Sequence, residues 1–229
     1  KFEQYTPNVH LAPYVKEYLI LESEASITNL LLPDMSVVIA IRYKGQVTAN
    51  DNGQVFTLPP AVITGIRSRA RSVCYDASSA NVLIIFNPGM TRAFFDTPAH
   101  EFAGASIPLD DLEEFPDGIE VSEVLNHART NKERILIVEQ ILMKKLMQRA
   151  IDPLIIHAAR QISCNAGNIR IRDLVQTLSI SRDAFEKRFR QSIGTSPKRF
   201  SSIVRMRKLV KAGKDEKSLT ELAYDFGYF

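Results

Sequence analysis

Cysteine is scarce in this chain. Cys74 and Cys164 lie far apart in different halves of the 229 residues. They make neither a metal-ligand spacing nor a disulfide framework, which is the usage expected in a reducing cytoplasm. No run approaches the roughly 18 uninterrupted apolar residues that a membrane span needs, so no membrane partner is expected. The first residues, Lys1-Phe2-Glu3-Gln4-Tyr5, carry no basic-then-apolar signal and no initiator Met, so the chain reads as trimmed. A glycine loop for phosphate and a Gly-x-Ser-x-Gly elbow are both missing. The four histidines, His10, His100, His127 and His157, are scattered, and none lies in the main β-prone run. That spacing excludes the His-x-His plus carboxylate plus His set of a metal-dependent cupin enzyme. His100 beside Glu101 reads as a surface helix pair. The expectation is a protein that is not an enzyme, with no cofactor and no metal site.

What is present is a division of charge. The net charge is only +3. Residues 1–120 hold 8 basic and 15 acidic side chains, whereas residues 121–229 hold 21 basic and 11 acidic. From Pro153 onward the count is 15 basic against 7 acidic. An acidic half joined to a basic half points to a polyanion as the partner of the basic half.

The two halves differ in periodicity as well. Short β-prone runs fill the first: Tyr18–Leu21, Leu30–Leu32, Val37–Tyr43, Val55–Leu58, Ala61–Thr64, Arg71–Tyr75 and Asn81–Phe86. Asn50-Asp51-Asn52-Gly53 is a hairpin turn, since Asn and Gly tolerate positive φ. Repeated short strands with turns between them predict a small β-barrel or sandwich. Arg67, Arg69 and Arg71 alternate and could grip an anionic ligand, but the preferred reading is the exposed face of an antiparallel strand. Cys74 reads as a small core residue. After Asn87-Pro88-Gly89 the pattern turns helical. Short helices are expected at Thr91–Phe95, Pro98–Phe102, Asp110–Phe115 and Val121–Ala128, with a long one over Lys132–Arg149. Asp152-Pro153 ends that helix and opens another, and Ser163–Asn168 reads as a loop. The fold class is therefore α+β. Residues 1–120 form a β-rich regulatory domain, 121–151 a helical connector and 152–229 an all-α domain.

The informative stretch is 171–193. Ile171–Leu178 is a short amphipathic helix, and Ser179-Ile180-Ser181 is a tight connection ending in a capping hydroxyl. Arg182–Ile193 is a second helix anchored by Phe185, Phe189 and Ile193, which recur four apart. Gly194 stops it. Helix, short turn, helix with a charged outer arc is the helix-turn-helix arrangement, whose second helix enters the major groove. Arg182, Lys187 or Arg190 can reach guanine O6 and N7, and Glu186 can accept from cytosine N4. A solvated face on an ordinary helical hairpin reads equally well on this segment alone. An echo shifts the balance: Leu219–Gly227 aligns on Ile171–Ser179 at a constant offset of 48, and Ser218–Glu221 is a capping box. This second unit is cut short at Phe229. Between the copies, Ser196-Pro197 opens a helix through Arg199–Ala212 closed by Gly213. Its basic exterior suits backbone phosphates.

These residues resemble the arabinose-regulator (AraC/XylS) family of bacterial transcription regulators. The resemblance is carried by Ser181-Arg182, Phe185, Phe189-Arg190, Gly194-Thr195-Ser196-Pro197, Phe200 and Arg205, with Leu222-Ala223 and Gly227-Tyr228 in the second unit. Pro33-Asp34, Phe86–Gly89, Ile107–Leu112 and Asp152-Pro153-Leu154 fit members with a β-rich, cupin-like N-terminal domain. The resemblance implies two helix-turn-helix units joined by a long helix and reading double-stranded DNA. Asp183, Glu186 and Lys187, with Arg182 and Arg190 beside them, fall on the base-reading positions. Ser181, Lys198, Arg199 and Arg205 are the expected phosphate contacts. The resemblance further implies a cytoplasmic regulator, with room for a small-molecule effector in the N-terminal domain and for a homodimer. Val175 stands where a small alanine is usual, and Ser179 where the turn glycine is usual. Lacking the second reading helix, the chain is expected to bind DNA more weakly than a full member unless dimerisation supplies another unit. The alternative reading is a small-molecule or protein binding module without independent DNA-binding activity.

Overall fold

A computed structural model describes residues 1–147 and 151–212. Ten strands come first: β1 (Phe2–Tyr5), β2 (Val15–Ser23), β3 (Ile27–Leu31), β4 (Val38–Lys44), β5 (Val47–Asp51), β6 (Gln54–Thr57), β7 (Ala61–Thr64), β8 (Arg71–Tyr75), β9 (Ser79–Phe86) and β10 (Ser106–Pro108). They build a six-stranded sheet in the order β1-β2-β9-β4-β7-β10 and a four-stranded sheet in the order β3-β8-β5-β6. Every pairing is antiparallel. The predicted hairpin turn joins β5 to β6, with Asn52 and Gly53 both at positive φ and the Gly53 amide donating to Asn50 Oδ1 at 2.9 Å. That pair of left-handed residues matches the twist of the strands it connects.

Period-two alternation decides what each face of the larger sheet meets. Tyr18, Ile20, Ile39, Ile41, Val82, Ile84 and Phe86 lie on one face and are fully or almost fully buried. Helices α1 (Gly118–His127) and α2 (Asn131–Lys145) share that core through Val121, Leu125, Ile135, Val138 and Leu142. The opposite face turns towards the smaller sheet, where Leu21 packs on Val47, Ala49, Leu58, Val73 and Tyr75.

Among the described residues four helices follow α2: α3 (Pro153–Cys164), α4 (Ile171–Thr177), α5 (Arg182–Ile193) and α6 (Pro197–Ala212). They enclose a separate core of Ile155, Ala158, Ala159, Ile162, Leu174, Phe185, Phe189, Phe200 and Ile203. Ile66, just after β7, is buried in this helical core, and Met35 packs against it. An Asp34–Arg207 ion pair at 3.1 Å bridges the same boundary.

Several expectations need correction. Thr91–Phe95 and Asp110–Phe115 shrink to single 3-10 turns at Thr91–Ala93 and Leu109–Asp111, and Pro98–Phe102 forms turns only. Segments this short cannot repay helix nucleation. His100 and Glu101 accordingly stand on a turn and not on a helix. The long helix ends at Lys145, with Leu146 already extended, and α3 runs on through Cys164 into the expected loop. Cys74 is half-buried, with its sulfur 3.5 Å from Ser26 Oγ, and so lies outside the core. The arginine triplet does not share one exposed face. Arg69 is exposed, Arg67 is half-buried, and Arg71 is only 4% exposed. The echo at 218–229 and the closing Gly213 lie outside the described residues.

Candidate nucleic-acid interface

The site begins with the way α5 is held. Ser181 caps it, its side-chain oxygen accepting from the Ala184 amide at 3.3 Å. Ser179 in the preceding turn has φ +50, a conformation that glycine adopts without strain and serine at some cost. Along α5, Phe185, Phe189 and Ile193 are fully buried or nearly so. The Phe185 and Phe189 rings lie 5.5 Å apart, and Phe189 meets Phe200 of α6 edge-on at 5.6 Å. One face of α5 is thereby fixed against α3, α4 and α6, which leaves the other to solvent.

A second restraint was not evident from spacing. Arg188 reaches across to Asp152, its Nε and Nη2 each 2.7 Å from one carboxylate oxygen. Asp152 is also the cap of α3, accepting from the Ile155 amide at 3.3 Å. Partial burial by itself raises the Asp152 carboxyl, but the hydrogen bonds from Arg188 and Ile155 outweigh it and hold the group below its ordinary value. This fork fixes the start of α3 against the middle of α5.

The end of α5 touches the β-rich half. Gly194 adopts φ +98 and closes the helix, its amide donating to the Arg190 carbonyl at 2.9 Å. A Cβ at Gly194 would sit 2.9 Å from the Ala99 carbonyl oxygen, so a larger residue would clash as well as strain. Beside it the Ala99 amide donates to the Gln191 carbonyl at 2.9 Å.

The exposed arc of α5 carries Arg182, Asp183, Lys187 and Arg190, with Glu186 half-exposed. Arg182 Nε donates to Glu186 Oε1 at 3.1 Å, so two of the expected base readers hold one another in this state. The pair is well exposed and contributes little to stability. A groove of about 740 Å³ runs from this arc to the start of α6. Its basic lining is Arg170, Arg172, Arg182, Arg190, Lys198 and Arg205, against the single acid Glu186. Arg170 and Arg172 were not singled out from the sequence; their place just before and within α4 was the available signal. Of the expected phosphate contacts, Ser181 serves as the cap, Lys198 and Arg205 line the groove, and Lys198 is exposed. Arg199 is exposed but lines a different cleft of about 360 Å³, shared with Ile66, Ser68 and His100 at the β-rich boundary. Arg190 borders both.

Among the described residues no group of three or more His, Cys, Asp or Glu could hold a metal ion, and no helix is long and apolar enough to cross a membrane.

A domain of unknown function (DUF6597) matches residues 3–108. No curated protein matches the chain. Among solved structures, the fold is similar to ToxT from Vibrio cholerae, 14% identical, covering 99% of this chain and 89% of that one at a TM-score of 0.47. It is also similar to the AraC-like transcriptional activator CuxR, 12% identical, covering 92% of this chain and 86% of that one at a TM-score of 0.28. The cupin domain of an XRE family transcriptional regulator from Enterobacter cloacae, 14% identical, covers 38% of this chain and 96% of its own length at a TM-score of 0.28.

Proposed function

We propose that this protein is a sequence-specific DNA-binding transcription regulator of the arabinose-regulator type, with α5 as the reading helix. One observation carries the reading. A capped helix is clamped on one face by Phe185, Phe189 and Ile193 and presents Arg182, Asp183, Lys187 and Arg190 on the other, above a groove lined by six cations and one acid.

A helix lying in the major groove must offer donors and acceptors to base edges and remain rigid while doing so. Arg182, Lys187 or Arg190 reads guanine, each being exposed on the free arc of α5. Asp183 and Glu186 accept from cytosine, which requires Glu186 to release Arg182. Ser181, Lys198, Arg199 and Arg205 contact the backbone, and contacts of this kind fix register without reading sequence. In this scheme residues 1–120 are regulatory, 121–151 connect and 152–229 bind DNA. Nothing in the scheme calls for a catalytic residue, and the setting it implies is the cytoplasm.

Selection of bound fragments from random duplex DNA, followed by fluorescence anisotropy at several salt concentrations, tests the reading. Enrichment of one motif is expected. Replacing Arg182 or Lys187 with Ala should relax preference at one base position at about 1–3 kcal/mol. Affinity that is equal for all sequences, or absent at low salt, would instead favour a binding module without DNA activity of its own.

A further inference from the structure

The acidic half brings two of its segments to the end of α5. Ile66, just after β7, is buried in the core shared by α3 to α6, so Ser68 two residues on is held at the edge of those helices. The Ala99 amide donates to the Gln191 carbonyl in the last turn of α5, and His100 follows Ala99 directly. The two segments are also bonded to one another. The Gly65 amide donates to the Phe102 carbonyl at 3.2 Å, and the Gly104 amide to the Ile66 carbonyl at 3.1 Å. Ser68 and His100 are themselves exposed, yet the backbone beside each is tied to the helical unit.

These segments form one wall of the cleft of about 360 Å³, and Arg190, Thr195, Ser196 and Arg199 stand on the other. No Asp or Glu lines it, although residues 1–120 carry 15 acidic side chains. On α5 itself, Arg182 is paired with Glu186 and Arg188 with Asp152. Arg190 and Arg199 make no ion pair among the described residues. Pro197 begins the 16-residue α6 beside them, so the positive end of that helix adds to their field. A cleft lined by charge of one sign concentrates its potential on whatever enters.

Position says which anion that is. Arg190 borders both this cleft and the groove along the exposed arc of α5. An anion in the cleft therefore lies next to whatever occupies the reading face. Beyond the end of a helix set in the major groove runs the sugar–phosphate backbone that flanks the groove.

We infer that the cleft seats one backbone phosphate of the bound duplex, held by Arg190 and Arg199 together with the His100 ring and the Ser68 hydroxyl of the acidic half. Guanidinium forks match phosphate oxygens, and the ring N–H and the hydroxyl supply further donors. Arg190 is then a backbone contact, which leaves Arg182 and Lys187 to guanine. The DNA-contact surface crosses from the helical unit into the β-rich half, so the duplex is oriented by both. The inference rests on the DNA-binding reading and adds to it a contact made by residues 1–120.

The experiment is fluorescence anisotropy of the 229-residue chain at several salt concentrations, with one duplex of random sequence and one enriched by selection. His100→Glu and Ser68→Glu each put a carboxylate in the cleft from an exposed position, and should leave the Tm near that of wild type. Each should weaken binding to both duplexes at least about tenfold, because a like charge then faces the phosphate. The salt slope should fall by about 1. Thr57→Glu adds a carboxylate on β6, which contributes nothing to the cleft, and should change affinity less than about twofold. Cleft variants that bind like Thr57→Glu would overturn the inference while the DNA-binding reading stood. A loss confined to the selected duplex would overturn it too, since a phosphate contact carries no sequence preference. No DNA binding by the wild type overturns both. Thermal unfolding with inorganic phosphate isolates the other source of the same chemistry. A Tm rise in wild type that His100→Glu lacks, with salt slopes unaltered, would mark a site for free phosphate and overturn the DNA contact.

Discussion

Arginine occupies two opposite settings in this molecule. On α5 and around the groove, Arg172 and Arg182 stand in water with 77% of their side chains exposed, where a cation costs almost nothing to keep and almost nothing to remove. At the end of the sandwich Arg71 is withdrawn from water with a single neutral acceptor on its Nη1. Desolvation there is expensive, and a fold that tolerates it gives up stability. The exposed set is open to any partner that arrives from outside. The buried one answers only to its immediate neighbours, Ser106, Arg67 and Asp51.

The sharpest ways to break this comparison are changes that should move one region and spare the other. Phe189→Ala removes a ring packed on both Phe185 and Phe200 and should cost about 3–5 kcal/mol, read as a lower urea midpoint. A loss under about 1 kcal/mol would mean that the aromatic seam does not hold α5 in place. Arg71→Met should raise stability by about 1–4 kcal/mol, because an unpaired buried charge is exchanged for an apolar side chain. Arg172→Met, by contrast, should stay within about 0.5 kcal/mol of wild type. If both substitutions behave alike, the contrast between the two settings is wrong.

Smaller effects sharpen it further. Asp152→Asn should cost about 1 kcal/mol or more, through the α3 cap and the fork to Arg188. Because folding lowers the Asp152 pKa, its contribution is fully present above the unfolded value near ~3.9 and is lost as pH falls through the lower folded value. Urea midpoints between about pH 5 and pH 2 should therefore fall less steeply in Asp152→Asn than in wild type. Lys198→Gln should leave the Tm unchanged and reduce the salt slope of DNA binding by about 1.

Much of the helical unit was legible because its determinants are local. Ser181, Gly194 and the four-residue spacing of Phe185, Phe189 and Ile193 specify start, stop and buried face within fourteen residues. The hairpin at Asn50–Gly53 was legible for the same reason. The arginine triplet was misread because alternation shows that two faces exist and not which one the second sheet covers. Arg71 is inward only because β8 pairs β3 and β5 opposite a larger sheet. The Asp152–Arg188 fork joins residues 36 apart, and no periodicity announces such a pair. Arg170 and Arg172 became groove residues only because the start of α4, the exposed arc of α5 and the start of α6 border one groove.

The turn containing Ala99 and Gly104 ties the two settings into one mechanical path. Arg67 holds the Gly104 carbonyl, the Gly104 amide holds Ile66 at 3.1 Å, and a few residues earlier Ala99 holds the last turn of α5. A change that draws Arg67 away from Gly104 thus acts on the segment against which Gln191 and Gly194 rest. Such coupling is reciprocal: whatever a disturbance at Arg67 does to the end of α5, a disturbance at the end of α5 does to Arg67.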